Sequence, residues 1–252
     1  MVGARIVLVH GIRTSATMWR RQVAALTVHG VDVVAVDLPG HGSRMAEEFS
    51  IDAAMAVIEE ALNPPPTDGT APDAAPPRLL VGLSLGGYLS IEFAARHPDR
   101  LDGLVAAACG TVPRGPGLAA YRSIAAAIAR LPDRGRWLND ATAALFLAPD
   151  ALADVVAGGV ALDVMAPALA AVGHLDPVAA LDAVRVPIWF VNGRYDHFRL
   201  QERRLLRAAH DARLVVVPGA THLVSLTAAD GFTAVVLGAV AELERRATAR
   251  HR

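Results

Sequence analysis

Residues 79–89 read Leu-Leu-Val-Gly-Leu-Ser-Leu-Gly-Gly-Tyr-Leu, and the fold turns on how that stretch is read. A short apolar run ends at Gly82, Ser84 follows two residues later, and Gly86-Gly87 open a segment of helical character. The pattern G-x-S-x-G between a strand and a helix describes a sharp turn that lifts a serine hydroxyl above the end of a sheet. Side chains at positions 82 and 86 would clash where strand and helix meet, and the serine takes a strained backbone conformation. The helix from Leu85 aims free N–H groups and its positive end at the hydroxyl, where an oxyanion would be stabilised. A strand-to-helix turn with a solvent-facing serine is the plainer alternative, and the rest of the chain decides between them.

Working outward, apolar runs and helical stretches alternate. Strands are expected at Arg5–Val9, Val31–Val36, Arg78–Leu83, Leu101–Ala108, Pro187–Asn192 and Leu214–Val217, each a continuous apolar, β-branched run of the kind buried on both faces. Between them lie helices: one through Trp19, Val23 and Leu26, capped by Ser15 or Thr17 and closed by His29-Gly30; one over Ile51–Leu62; one from the serine turn to Arg96; and a last over Phe232–Arg246, with a frayed tail. This is the pattern of a parallel α/β sheet of about six strands with helices on both faces. Two intervals break the rhythm. Asn63–Pro77 is rich in proline and alanine without apolar period and reads as a surface excursion. Residues 111–182 contain no convincing strand but five Ala-rich helical stretches, at Leu118–Leu131, Asp140–Leu147, Asp150–Ala157, Val160–Val172 and Pro177–Val184. Inserted between the fourth and fifth strands, they are expected to form a cap over a core of residues 1–110 and 183–252.

The bulk numbers exclude several classes of function. At 252 residues with a formal net charge of −1, the chain suffices for one large domain and offers no electrostatic case for nucleic acid or an anionic membrane. All 24 basic side chains are arginine. The most apolar candidate for a membrane span, Ala151–Val172, is interrupted by Asp154, Asp163 and Pro167, and the apolar run at Ile6–Val9 is too short for a signal peptide. Cys109 is the sole cysteine, so an intrachain disulfide and cysteine-cluster zinc sites are excluded. A cytoplasmic protein acting on a small molecule, with no cofactor or metal, is expected; oligomeric state is not readable.

Open α/β sheets place their sites beyond the carboxyl ends of the strands. A serine nucleophile needs a base there, and the base needs an orienting carboxylate. The fifth strand ends in Asn192-Gly193-Arg194-Tyr195-Asp196, and the sixth in Pro218-Gly219-Ala220-Thr221-His222. Ser84, Asp196 and His222 thus fall at three strand ends in the order serine, acid, histidine. Taken singly, Asp196 also fits a helix cap and His222 an ordinary loop histidine; Asp211 and Asp230 are worse-placed rivals. Two N–H donors are expected for the oxyanion hole, Leu85 after the nucleophile and Ile12 in the loop after the first strand, where Gly11 permits close approach. His10 reads as an organiser of that loop. Arg13 can hold a substrate carboxylate or phosphate, or else be a solvated or ion-paired arginine. Tyr121, Trp137, Phe146 and Met165 are the large apolar side chains of the cap, serving as pocket lining or as cap core.

The strings HGIRTSATMW, VDLPGHGSR, GLSLGGY, GRYDHF and PGATH resemble the successive signatures of the α/β-hydrolase superfamily, over Arg5–Gly110 and again over Pro187–Glu244. The resemblance implies a serine hydrolase with Ser84, Asp196 and His222 as the triad. It begins at the family's third strand, so the usual antiparallel first hairpin is expected to be missing, and the excursion at Asn63–Pro77 is longer than the usual link. Serine at the nucleophile position argues against the dehalogenase and epoxide hydrolase branches, which need a carboxylate. The expected reaction is hydrolysis of a carboxylic ester or lactone of a small, largely apolar substrate. The alternatives are a carbon–carbon bond hydrolase or lyase, a type II thioesterase with an exposed docking face on the cap, and a binding protein on a hydrolase scaffold.

Overall fold

The continuous apolar runs become the strands of a single sheet. The computed structural model describes residues 4–63 and 76–250; the expected excursion at 63–77 falls almost entirely outside them. The strands are β1 (Arg5–Val9), β2 (Asp32–Val36), β3 (Arg78–Leu83), β4 (Gly103–Ala107), β5 (Ile188–Gly193) and β6 (Ala212–Val217). They lie in the order β2-β1-β3-β4-β5-β6, and every neighbouring pair is parallel. No antiparallel hairpin occurs among the described residues. Ends differ from expectation by a residue or two: Leu101 and Asp102 precede β4, and β6 begins at Ala212.

Alternation along the strands feeds two cores. Val7, Val9, Leu80, Leu104, Ala106 and Phe190 face α2 (Ile51–Leu62) and α3 (Leu85–Arg96). Ile6, Leu8, Val81, Val105 and Trp189 face α1 (Arg20–Val28) and α11 (Ala229–Arg250), where Leu26, Phe232 and Val236 pack. Central strands buried on both sides need apolar residues at every position, whereas the edge strands β2 and β6 are mostly half-buried. Local signals set the helix starts. Ser50 Oγ accepts from Ala53 N at 3.1 Å, an N-cap for α2. Ser15, not Thr17, caps the 3-10 turn Ala16–Trp19 that leads into α1. The final helix runs to Arg250 rather than fraying after Arg246.

Five helices lie between β4 and β5: α4 (Gly115–Ile128), α5 (Arg136–Phe146), α6 (Pro149–Ala157), α7 (Met165–Val172) and α8 (Pro177–Ala183). Residues 160–164 are not helical as expected. Gly158-Gly159 breaks the chain there, with Gly159 at φ +79°, and Ala161 N is drawn to the Arg13 carbonyl. Helix α5 begins four residues before its expected start. Helix α8 packs on α3 and on α9 (Glu202–Ala208), beside the sheet.

The strand order has one consequence for function. The chain leaves β1 for β2 on one side and reappears in β3 on the other, so the carboxyl ends of β1 and β3 flank the switch point, where open sheets leave a crevice. Val9 is paired with Gly82, which sets the loop at Gly11 directly beside the turn at Ser84.

Candidate active site

Each strand end delivers one group. Ser84 leaves β3 with φ 55° and ψ −113°, a strained conformation for a side-chain-bearing residue. The structure shows what holds it. Ser84 N donates to Ala107 O at 2.8 Å, and Gly86 N to His10 O at 3.1 Å, tying the turn to β4 and to the β1 loop. A Cβ on Gly82 would strike the Gly86 carbonyl, and one on Gly86 the carbonyls of Val9 and His10. Backbone cannot give way, so both positions require glycine.

His222 Nε2 lies 3.0 Å from Ser84 Oγ, and its Nδ1 lies 2.9 Å from Asp196 Oδ1. A carboxylate accepts only, so Nδ1 carries the proton and Nε2 is free to accept from the serine. Asp196 is buried. Burial alone would raise its pKa, but the hydrogen bond and charge of His222 and the amide of Phe198 outweigh it and hold the carboxyl below its ordinary value. Asp196 is therefore an anion at neutral pH, facing the protonated side of the imidazole. Asn192 braces this corner: its Oδ1 accepts from Ala108 N at 3.2 Å and its Nδ2 donates to Glu202 at 2.9 Å.

The β1 loop is fixed from behind. His10 Nε2 accepts from Leu38 N at 3.0 Å, so the Nδ1–H donates to Gly11 O at 2.7 Å. Thr14 Oγ1 donates to the same carbonyl at 2.8 Å. With Gly11 C=O held toward His10 and Thr14, the trans peptide directs the Ile12 N–H the opposite way. Across the crevice, Leu85 is the first residue of α3, where the amide has no carbonyl partner within the helix. A Cβ at Gly11 would sit 3.5 Å from that of Ser84, so the two amides belong to backbone segments in contact around the hydroxyl. His10 is wholly buried. Desolvation, then the neighbouring His41, depresses its pKa to about 3 despite the Gly11 carbonyl and Asp37. It is a neutral, structural imidazole, as read from the sequence.

Of the remaining candidates, the structure brings three to the crevice. Arg13 follows Ile12 with φ 67°; it is half-buried, its Nε is buried without a hydrogen-bond partner, and no carboxylate pairs with it among the described residues. Met165 forms a small buried cluster with Ala125 and Leu169, against which Ile12 packs. The ring of Tyr121 meets Phe198 edge-on with centroids 6.1 Å apart. Trp137 and Phe146 are not brought there: they are 73% and 58% exposed, because α5 buries none of its residues. Two residues sequence reading passed over sit at the base itself. The rings of Phe198 and His197 lie 4.8 and 5.2 Å from that of His222. Their signal was adjacency to Asp196 in the string GRYDHF.

The chain is 28% identical over 98% of its length to the polyketide synthase ThaQ of Burkholderia thailandensis, of which it spans only 12%. It is 29% identical over 92% of its length to a pimeloyl-[acyl-carrier protein] methyl ester esterase of Neisseria meningitidis, covering 91% of that enzyme. The enol-lactonase of Burkholderia xenovorans superposes with a TM-score of 0.72 at 26% identity, over 94% of this chain and 90% of that one. Residues 6–235 match the model described as the alpha/beta hydrolase family. That span carries all three strand-end loops bearing Ser84, Asp196 and His222, and the chain belongs to the alpha/beta hydrolase family.

Proposed function

We propose that this hydrolase cleaves a carboxylic ester or lactone through an acyl-enzyme on Ser84. One observation carries the reading: Ser84 Oγ, His222 and Asp196 are joined by hydrogen bonds of 3.0 and 2.9 Å at the crevice of the sheet. His222 Nε2 takes the hydroxyl proton as Oγ attacks the carbonyl carbon, and Asp196 stabilises the imidazolium. The developing oxyanion accepts from the amides of Ile12 and Leu85, each such donor contributing about 10²–10³ in rate. His222 then protonates the departing oxygen. Water, deprotonated by the same imidazole, releases the acid and restores Ser84. Residues 111–182 act in this scheme as a cap over the strand ends, an assignment supported by the packing of Ile12 on the cluster of Ala125, Met165 and Leu169 and by the Ala161–Arg13 hydrogen bond.

Hydrolysis of p-nitrophenyl acetate and butyrate tests the reading. The Ser84→Ala variant is expected to lose at least ~10³-fold in kcat, and a fluorophosphonate to label Ser84. Unchanged turnover, or labelling of a different serine, overturns it.

A second reading, a thioesterase acting on a carrier-protein acyl chain, is favoured by a separate observation. Helix α5 presents Trp137, Leu145 and Phe146 to solvent at 73%, 77% and 58% exposure, an apolar face on the expected cap. One relative is, by its name, an esterase of an acyl-carrier-protein substrate. Faster turnover of an acyl-carrier-protein thioester than of the matching free thioester, abolished by Trp137→Asp, would favour it over the small ester.

A further inference from the structure

Arg13 occupies an expensive position for a charged side chain. Its backbone lies in the left-handed region at φ 67°, where a residue other than glycine carries strain. Its Nε is buried without a partner, and the titratable group acting on it is Tyr121, not a carboxylate. Arg199 and Arg246, also part-buried, pair with carboxylates, Arg199 with Glu202 and Arg246 with Asp211 and Glu242. A half-buried guanidinium without a counter-ion keeps an unmet donor that an anion can satisfy.

The surroundings say where that anion would come from. Arg13 is two residues beyond Gly11, which touches the Ser84 turn. Its carbonyl is held by Ala161 N at 3.4 Å, on the segment that leads into Met165. Tyr121 packs on Phe198, and Phe198 on His222. The unpaired cation is thus continuous, through these contacts, with both the Ile12 amide and the catalytic base.

We propose that Arg13 is a specificity-determining residue that binds a carboxylate of the substrate, so that the preferred ester or lactone is a monoanion such as the half-ester of a dicarboxylic acid; this rests on the hydrolase reading above. A planar guanidinium matches a carboxylate in shape and in charge, whereas a phosphate dianion would be left with an unbalanced charge beside one cation.

The test compares methyl hydrogen glutarate with methyl pentanoate, its uncharged counterpart, on wild type, Arg13→Gln and Arg13→Lys. The selectivity ratio, kcat/KM for the acid ester over that for the neutral one, is expected to fall about 10- to 100-fold in Arg13→Gln, mainly through KM. Arg13→Lys should recover part of it. Glutarate should protect wild-type Ser84 from a fluorophosphonate and lose at least about tenfold in apparent affinity in Arg13→Gln. A ratio unchanged in both variants, with the two esters falling in parallel, makes Arg13 structural and overturns the proposal. Equal protection of wild type and variant does the same. The outcomes for the two readings are separable: should neither ester turn over and Ser84 stay unlabelled, the hydrolase reading fails, while glutarate affinity measured calorimetrically on wild type and Arg13→Gln still decides Arg13.

Discussion

The buried His10 makes the fold acid-labile in a way that can be calculated. In the unfolded chain a histidine protonates near pH 6.5, and in the fold His10 does so at about 3. Between those values the unfolded state holds a proton that the native state does not, so stability falls as pH falls. Each pH unit costs about 1.4 kcal/mol, giving about 2.7 kcal/mol at pH ~4.5 and approaching 5 at pH ~3. Against a total of about 5–15 kcal/mol that is a large share. The structural cause is specific. Nε2 accepts from Leu38 N, and Nδ1–H is committed to Gly11 O, so a second ring proton would oppose an amide donor in a buried site. His41, also depressed mainly by burial, adds with the same sign, whereas Asp37 and Asp196, held below their ordinary values, contribute only as pH falls toward their unfolded pKa of about 3.9. Urea midpoints measured from about pH 8 to about pH 4.5, on wild type and His10→Gln, are the assay. Wild type should lose stability with a slope exceeding that of the variant by about one proton. Equal slopes, or an NMR titration placing the His10 ring near 6.5, would refute the account of this loop.

Three further outcomes follow from particular contacts. Gly86→Ala should lower Tm by roughly 3–10 °C through overpacking against the Val9 and His10 carbonyls, whereas Gly238→Ala, in helix α11 with nothing within 4 Å of its Cβ, should gain about 0.5–1 kcal/mol; scanning calorimetry of both checks the contrast. Asp196→Asn should leave the fold intact by circular dichroism and cost about 10³–10⁴ in kcat on a p-nitrophenyl ester, because the imidazole loses the partner that sets its tautomer. Glu242, held at about 2 chiefly by the hydrogen bond from Arg213 and also by Arg246, contributes stability above its unfolded pKa of about 4.3 that is lost as pH falls toward 2. Glu242→Gln should therefore destabilise the protein at neutral pH and converge with wild type near pH ~2, read from denaturant midpoints.

What could be read in advance and what could not divide along a physical line. Ser84, Asp196 and His222 were legible because backbone geometry demands particular residues in order along the chain: glycines that a Cβ would obstruct, and loops at successive strand ends. The strands were legible because a sheet buried on both faces tolerates few polar positions. Trp137 and Phe146 misled as pocket candidates because size and apolarity do not encode which way a helix faces, and α5 buries none of its residues. Phe198 and His197 were missed for the converse reason: their role comes from ring contacts with His222, made only once β5 and β6 lie side by side.

Arg13 lies on that line and shows why it matters for function. In a chain whose basic residues are all arginine, nothing in composition or spacing marks this one, and an exposed or ion-paired side chain was the simpler expectation. The structure half-buries it, leaves Nε without a partner and brings no carboxylate to it among the described residues. The same loop carries its rigid part, His10 and Gly11, and its unsatisfied part within four residues. The first is fully bonded and aims the Ile12 amide, so it bears on how the reaction proceeds. The second is held at positive φ with an unmet donor, and on the proposal above it selects the molecule accepted. If so, substitution at position 13 should alter selectivity by a route that substitution at position 10, acting through stability, does not.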